Sequence, residues 1–448
     1  MALTGLQIYK LLPKTNCKEC GFPTCLAFAM QLANKQVSLD KCPYVTAESK
    51  AALDSASEPP IKLVTIGVGD SQKKIGQETV LFRHEEKFHN PCGIAIKVKD
   101  TLSQDDIKKK VGIINGFKFE RVGQQIAVDM IAIENSSGDP GKFASAAETV
   151  SMNTALPLVL ISNNTAALKS ALDKCGDKKP LVCSATADNY QELVPVVKEK
   201  ACPLAVSATD LESLADLTAK IKALGHNELV LDPGSRLMAE TLRNLTKIRR
   251  YALKKSERRL GYPMITFTTD SDPEQEIAEA SSYIAKYAGV IVIEACEPWQ
   301  ILPLLTVRQN IYTDPQKPIQ VESKVYTVGE VTDKSPVLVT TNFSITYFTV
   351  EGDVEAAKVP SYIVAVDTEG TSVMTAWAAE KFNAEIIAKT IKDMNVENLV
   401  SHKKIVVPGG VAVLSGKLEE ELGGWKVMVG PRESAGISSW FKTFWTAA

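Results

Sequence analysis

The sequence predicts an α/β protein in three parts: a small cysteine-rich N-terminal domain, a central (β/α)8 barrel of the TIM type, and a C-terminal Rossmann-like or flavodoxin-like domain. Three observations predict it. Four of the nine cysteines stand at Cys17, Cys20, Cys25 and Cys42. Between Ile61 and Thr313, eight short and nearly all-apolar runs alternate with amphipathic stretches, as expected of strands buried on both faces and the helices that cover them. From Val331 to Ala448, apolar runs lead into loops rich in Gly, Ser and Thr, the pattern of a ligand crevice at the carboxyl ends of parallel strands. The expected domains are 1–57, 61–313 and 331–448.

The N-terminal stretch CKECGFPTCLAFAMQLANKQVSLDKCP has the spacing C-x2-C-x4-C-x16-C, and Pro43 follows the last cysteine. Gly21 and Pro23 turn the chain after Cys20, so three sulfurs can converge. Cys25 then opens a short helix expected to bury Leu26, Met30 and Ala33. Thiolates suit Fe–S clusters and zinc. A [4Fe–4S] cluster needs four thiolates, and Cys-Pro matches the end of bacterial ferredoxin runs. A four-cysteine zinc site fits the count but lacks the usual second knuckle. A disulfide is disfavoured in a chain without secretory features. A domain this small buries little core, so a bound metal is expected to supply folding energy. The segment Asp54–Pro60 reads as a linker.

The barrel strands are expected at Gly93–Val98, Val128–Ile133, Leu158–Ile161, Leu181–Ser184, Leu204–Val206, Leu229–Leu231, Met264–Phe267 and Val290–Ile293. Ile61–Val68 and Thr79–Arg83 read as a hairpin or cap before them. A doubly wound sheet is the alternative. Barrel enzymes work at the carboxyl ends of their strands. Here those ends carry Glu134-Asn135, Ser162-Asn163-Asn164, Ser184-Ala185-Thr186, Ser207-Ala208-Thr209, Asp232-Pro233-Gly234, Thr268-Thr269-Asp270 and Glu294-Ala295-Cys296. They could hydrogen-bond a pterin-like ring, but Ser, Thr, Asn and Asp there also serve as helix N-caps. No histidine stands at a strand end. Cys92, Cys175, Cys183, Cys202 and Cys296 show no ligand spacing and read as buried thiols. The barrel therefore reads as a scaffold or docking module rather than a self-sufficient enzyme.

Tyr312–Glu330 reads as an interdomain connection. Beyond it, strands are expected at Val337–Thr340, Tyr362–Val366, Lys404–Val407 and Trp425–Val429, each followed by a loop: TNFSIT, DTEGTSVMT, PGGVAVLSG and GPRESAGIS. Glycines let the backbone approach a large flat ligand, and hydroxyl and N–H groups bind its polar arms. The tail SSWFKTFWTAA groups Trp440, Phe441, Phe444 and Trp445, a candidate partner-facing or self-docking patch.

A hydrophobic content of 45% and a charged content of 23% suit an ordinary globular chain of two to four domains. A net charge of −2 leaves no electrostatic footprint for nucleic acid or an anionic membrane surface. The start MALTGLQIYKLLPKT lacks a signal-peptide core, and no run is long enough to span a bilayer. A cytoplasmic location is expected.

Taken together, CKECGFPTC, VAVDTEGTSVMTAW and VVPGGVAVLSG make the chain resemble, over essentially its full length, the large (gamma) subunits of corrinoid iron-sulfur proteins of the acetyl-CoA (Wood–Ljungdahl) pathway. The resemblance implies a [4Fe–4S] cluster on Cys17, Cys20, Cys25 and Cys42. It implies a cobamide lined by Thr340, Thr346, Gly370, Thr371, Ser372, Val373, Gly409, Gly410 and Ala435, held against a small partner subunit in a heterodimer. It also implies a methyl carrier in anaerobic carbon dioxide fixation. The methyl group comes from methyltetrahydrofolate through a separate methyltransferase and goes to acetyl-CoA synthase/CO dehydrogenase. The cluster reduces Co(II) to Co(I). Two other functions stay open at this point: a pterin-binding barrel methyltransferase in its own right, and an electron-transfer subunit without corrinoid. Many corrinoid domains carry D-x-H-x-x-G; here Asp367-Thr368-Glu369-Gly370-Thr371-Ser372 puts Glu where the histidine stands. Cobalt without a protein histidine ligand is expected.

Overall fold

The structure is a computed structural model that describes residues 5–33, 37, 39–46, 49–50, 53, 59–269 and 272–445. Most of the expected linker Asp54–Pro60 lies outside the described residues, as do Asn34, Ser38, Asp270 and the last three residues of the tail. Two compact units emerge, residues 1–119 with 127–312 and residues 120–126 with 313–448.

In the N-terminal segment, helices Gly5–Leu11 and Cys25–Ala33 pack around Ile8, Leu12, Cys25, Phe28, Ala29 and Leu53. The expected buried face of the second helix is corrected: Leu26 is 37% and Met30 47% exposed, and Ala33 is half-buried. The Cys25 N–H donates to Asn16 Oδ1 at 2.8 Å, which turns Cys25 inward. The positions three and four residues on, Phe28 and Ala29, then share its face.

The barrel is preceded by a hairpin of β1 (Val64–Ile66) and β2 (Lys73–Ile75). Its strands begin with β3 (Gly93–Lys99). A second hairpin, β4 (Lys118–Arg121) and β5 (Gln124–Ala127), separates β3 from β6 (Met130–Glu134). Then follow β7 (Leu158–Ile161), β8 (Leu181–Ala185), β9 (Leu204–Ser207), β10 (Leu229–Asp232), β11 (Ile265–Phe267) and β12 (Val290–Ile293). All eight expected strands are present. They pair in parallel in the order β10-β9-β8-β7-β6-β3-β12-β11. A backbone bridge between Leu231 and Met264 brings the two ends of the sheet together, so the barrel is near-closed and the doubly wound alternative falls.

Alternate residues such as Ala95, Ala132, Val159, Ala205, Val230 and Val292 fill the barrel, and Val64, Ile66 and Ile75 of the hairpin join the same core. The hairpin's second strand is Lys73–Ile75, not Thr79–Arg83. A single inward Ile75 suffices for β2, whereas the later segment is bound through its carbonyls: Val80 O accepts from Arg249 Nη2 at 2.7 Å and Leu81 O from the Tyr287 hydroxyl at 2.9 Å.

The second unit contains β13 (Val325–Val328), β14 (Val337–Thr341), β15 (Ser361–Val366), β16 (Lys404–Val407) and β17 (Lys426–Val429). Their order is β13-β15-β14-β16-β17, antiparallel only at β13. The expected connection Tyr312–Glu330 thus contains an edge strand and the end of the last barrel helix, Pro298–Tyr312. Side chains alternate between two cores. Val337, Val339, Val364 and Val366 face helices Ala384–Asp393 and Ser415–Leu422, whereas Leu338, Ile363 and Ala365 face Ser344–Ala357 and Ile437–Phe444. The parallel strands run 2-1-3-4 in chain order, the flavodoxin-like arrangement. The chain therefore leaves β14 toward one face and β16 toward the other, opening a crevice between their carboxyl ends.

Candidate cofactor-binding sites

Thr340 and Thr341 end β14, and Ser344 starts the helix that follows. The hydroxyls of all three are buried and have no hydrogen-bond partner. Buried polar groups are nearly always bonded. Three orphans within five residues, at the switch point of the sheet, fit a ligand that supplies their partners. The helix also begins after Phe343, which carries no capping side chain.

Around this polar floor stands an apolar rim. Ile345 follows β14, Met374 and Trp377 follow β15, Val413 follows β16, and Val429 ends β17; all five are exposed. The polar floor and apolar rim together suit a large, flat, partly apolar molecule with hydrogen-bonding arms.

Every residue expected to line a cobamide lies at or beyond the carboxyl ends of β14 to β17. Thr340 is buried in β14, and Thr346 is half-buried in the first turn of the next helix. Gly370 is buried in the left-handed region at φ +71°, and an added Cβ would lie 2.6 Å from Gln320 Cγ. The Thr371 hydroxyl donates to Thr368 O at 2.7 Å, the Ser372 hydroxyl meets that of Thr375 at 3.1 Å, and Val373 opens a short helix. A Cβ on Gly409 would stand 2.5 Å from Gly430 O, so only glycine lets the loops after β16 and β17 approach this closely. Gly410 and Ala435 are exposed.

The four N-terminal cysteines are free thiols; Cys25 is buried and the others are partly exposed. Cys20, Cys25 and Cys42 belong to one packed cluster. Gly21, at φ +84°, makes the turn after Cys20, closed by its N–H to Lys18 O at 2.9 Å. Tyr44 donates to Glu19 at 2.7 Å, tying the end of the segment to its beginning. Among the described residues, no three Cys, His, Asp or Glu side chains are drawn into a closed metal-binding group. The donor set fits an Fe–S cluster by its chemistry: four thiols on one short segment. The other five cysteines differ. Burial pushes the Cys92 thiol up to about 11 and those of Cys175 and Cys202 up to about 12, and it raises Cys183 and Cys296 as well. Cys92, Cys175, Cys183 and Cys202 are buried thiols, as expected, whereas Cys296 is half-buried.

The family model described as "CO dehydrogenase/acetyl-CoA synthase delta subunit" matches residues 63–441, and one described as "Putative Fe-S cluster" matches residues 12–44. The corrinoid/iron-sulfur protein large subunit of Moorella thermoacetica is 50% identical over 98% of this chain and 98% of its own. The chain belongs to the corrinoid/iron-sulfur protein large-subunit family. The gamma subunit of an acetyl-CoA decarbonylase/synthase complex from Methanothermobacter thermautotrophicus is 38% identical, again over 98% of both chains. That of Methanopyrus kandleri is 35% identical over 97% of this chain and 96% of its own.

In this member of the corrinoid/iron-sulfur family, the histidine expectation can be placed in space. Glu369 stands at the D-x-H-x-x-G histidine position, is exposed, and pairs with Lys381. His402 is the one histidine of its unit. It precedes β16, at the opposite end of the sheet from the crevice, where Nε2 lies 3.0 Å from Ser335 O.

The barrel mouth holds charges that periodicity did not reveal. Lys97 Nζ lies 3.3 Å from Glu134 and 3.0 Å from Glu294, and Lys99 Nζ lies 3.2 Å from Glu294. Burial pushes the Glu294 carboxyl up, but the two lysines outweigh it and hold it below the usual range. Asp232 is buried and takes a two-armed bond from Arg236 at 3.0 and 2.8 Å. Of the quoted strand-end residues, Asn164 caps a helix, accepting from Ala166 and Ala167; elsewhere the expectation is corrected, because the caps are later residues such as Asp139, Asp210 and Asp272. The charges of the barrel mouth pair with one another.

Motif reading overlooks Asn342, a buried residue at the crevice. It stands inside TNFSIT as one polar residue among several, and only its bonds to a loop 25 residues on mark it out.

Proposed function

We propose that the chain is a methyl-group carrier of acetyl-CoA formation, acting in the cytoplasm as the large subunit of a heterodimer. Cys17, Cys20, Cys25 and Cys42 would hold a [4Fe–4S] cluster. Thr340, Thr346, Gly370, Thr371, Ser372, Val373, Gly409, Gly410 and Ala435 would hold a cobamide against the small subunit. When bound, the two groups supply a cobalt that takes a methyl group from methyltetrahydrofolate through a separate methyltransferase and yields it to acetyl-CoA synthase/CO dehydrogenase, and an electron that returns Co(II) to Co(I). The names carried by the relatives support this reading.

The observation that carries it is the set of orphaned hydroxyls on Thr340, Thr341 and Ser344, set beneath an exposed apolar rim. The hydroxyls and loop N–H groups would bind the polar arms, Gly409 and Gly410 would let the backbone approach, and Met374, Trp377 and Val413 would exclude water from the ring. Glu369 cannot act as an imidazole, and His402 lies at the far end of the sheet. The crevice residues of this chain would thus offer the cobalt no imidazole, and a cobalt without that donor would be easier to reduce, because ligands tune a metal's potential.

Anaerobic purification followed by metal analysis tests the reading. Cobalt should accompany iron in a ratio of about 1:4, the iron count being that of a single [4Fe–4S] cluster. Cys20→Ser should remove iron and leave cobalt. A colourless preparation holding zinc and no corrin would end the proposal. Histidine-nitrogen splitting in the Co(II) EPR signal would end its axial-ligand part.

A further inference from the structure

We propose that Asn342 is the positioning residue that holds the loop Asp367–Ser372 in its cobamide-binding shape. The inference rests on the cobamide reading of the crevice and extends it to a side chain that would not touch the ring.

Asn342 stands one residue past β14, 2% exposed. Its backbone is pinned on both sides: its N–H donates to Val366 O at 2.8 Å, and its carbonyl accepts from Val321 N at 2.9 Å. Its side-chain oxygen accepts from Thr368 N at 3.0 Å, the Thr368 hydroxyl at 3.1 Å and Gly370 N at 3.1 Å. Its amide nitrogen donates to Asp367 Oδ1 at 3.0 Å and Gln320 Oε1 at 3.2 Å. The orientation of the amide is fixed by these partners, since backbone N–H groups only donate and the Asp367 carboxylate only accepts. No other side chain of this size offers a multiple acceptor and two donors at once.

The loop needs such a tie. Glu369 and Gly370 are both left-handed, at φ +54° and +71°, and Glu369 lacks glycine's freedom there. Two neighbours strengthen the shape: Glu369 N donates to Asp367 Oδ1 at 3.0 Å, and Gln320 packs where a Gly370 side chain would be. The buried Asn342 amide thus ties the loop after β15 to the end of β14. The bonds between Thr368 and Thr371 carry that shape on toward Ser372.

The test uses the full chain purified anaerobically with its small subunit, stripped of corrinoid, with aquocobalamin as the probe. Asn342→Ala should weaken aquocobalamin binding by roughly 10–100-fold, the range for residues that orient metal-holding groups. Before any cobamide is added, the Thr368 and Gly370 amides should exchange hydrogen at least about tenfold faster, because both lose their acceptor. Iron content should not change. Asn342→Asp should also weaken binding, since it faces a second carboxylate on Asp367. Asn342→Asp keeps the acceptor for the Thr368 and Gly370 amides but loses both donor bonds, to Asp367 and Gln320, so it also serves if Asn342→Ala does not fold. Binding within twofold of wild type in Asn342→Ala, or in Asn342→Asp where the alanine variant does not fold, overturns the inference, as does unchanged exchange at Thr368 and Gly370 in Asn342→Ala. Wild-type protein that takes up no aquocobalamin overturns the cobamide reading itself.

Discussion

The hydroxyls of Thr340 and Ser344 give opposite signals in the empty and the loaded protein. An unpartnered buried polar group costs roughly 1–3 kcal/mol. Thr340→Val and Ser344→Ala should therefore leave the cobamide-free chain as stable as wild type or more so, while weakening aquocobalamin binding. Chemical denaturation with and without the ligand checks this; a loss of stability in the free protein would place the hydroxyls in the fold rather than the site. His226 offers a pH-dependent counterpart. It is buried, its Nε2 has no hydrogen-bond partner, and burial, with Lys198 and Lys62 nearby, holds it below the ordinary value of 6.5. The unfolded chain then binds the proton more readily than the folded one. Stability from this residue is full above about pH 6.5 and declines as pH falls through that value. The midpoint of thermal unfolding should fall less between pH 7 and 5.5 in His226→Gln than in wild type.

Among the elements, the eight barrel strands were legible because each is apolar on both faces, which is the condition that a closed parallel sheet imposes. The elements that were not legible are short and half-exposed. β13 reads Val-Tyr-Thr-Val with only Val328 buried, and β2 reads Lys-Lys-Ile with only Ile75 buried. Their pairing partners, not their own pattern, make them strands. The helix after Cys25 was found but turned the wrong way, because Leu, Phe and Met stand on all its faces and the deciding bond comes from Asn16. The crevice loops were legible from composition, whereas the Lys97–Glu134–Glu294 group and the Asn342 ties join residues far apart in sequence. Of the two readings of the aromatic tail, the helix Ile437–Phe444 takes the self-docking one: Trp440 and Phe441 are buried against their own sheet, and Phe444 is exposed. Trp440→Ala should cost about 3–5 kcal/mol of that unit's stability, as buried Trp truncations do. Denaturant unfolding followed by a fluorescent probe would check it.

The whole chain consists of two compact units with separate cores. Heating should give two transitions. A ligand that binds one folded unit stabilises it by mass action, about 2.7 kcal/mol at a hundredfold excess over Kd. Aquocobalamin should therefore raise one transition and leave the other in place. Scanning calorimetry would read this directly, and transitions that moved together would refute independent units. Among the described residues no helix is long and apolar enough to cross a membrane.

β17 lies at one flank of its sheet, where a bare strand would present free N–H and C=O groups. Two of its outward groups are engaged by side chains: Glu419 takes the Val427 N–H at 2.9 Å, and the Trp440 indole gives its N–H to Val429 O at 2.8 Å. Another chain seeking to extend this sheet would find those two positions taken. The unit can thus carry its exposed apolar rim with less invitation to strand-to-strand stacking along this side.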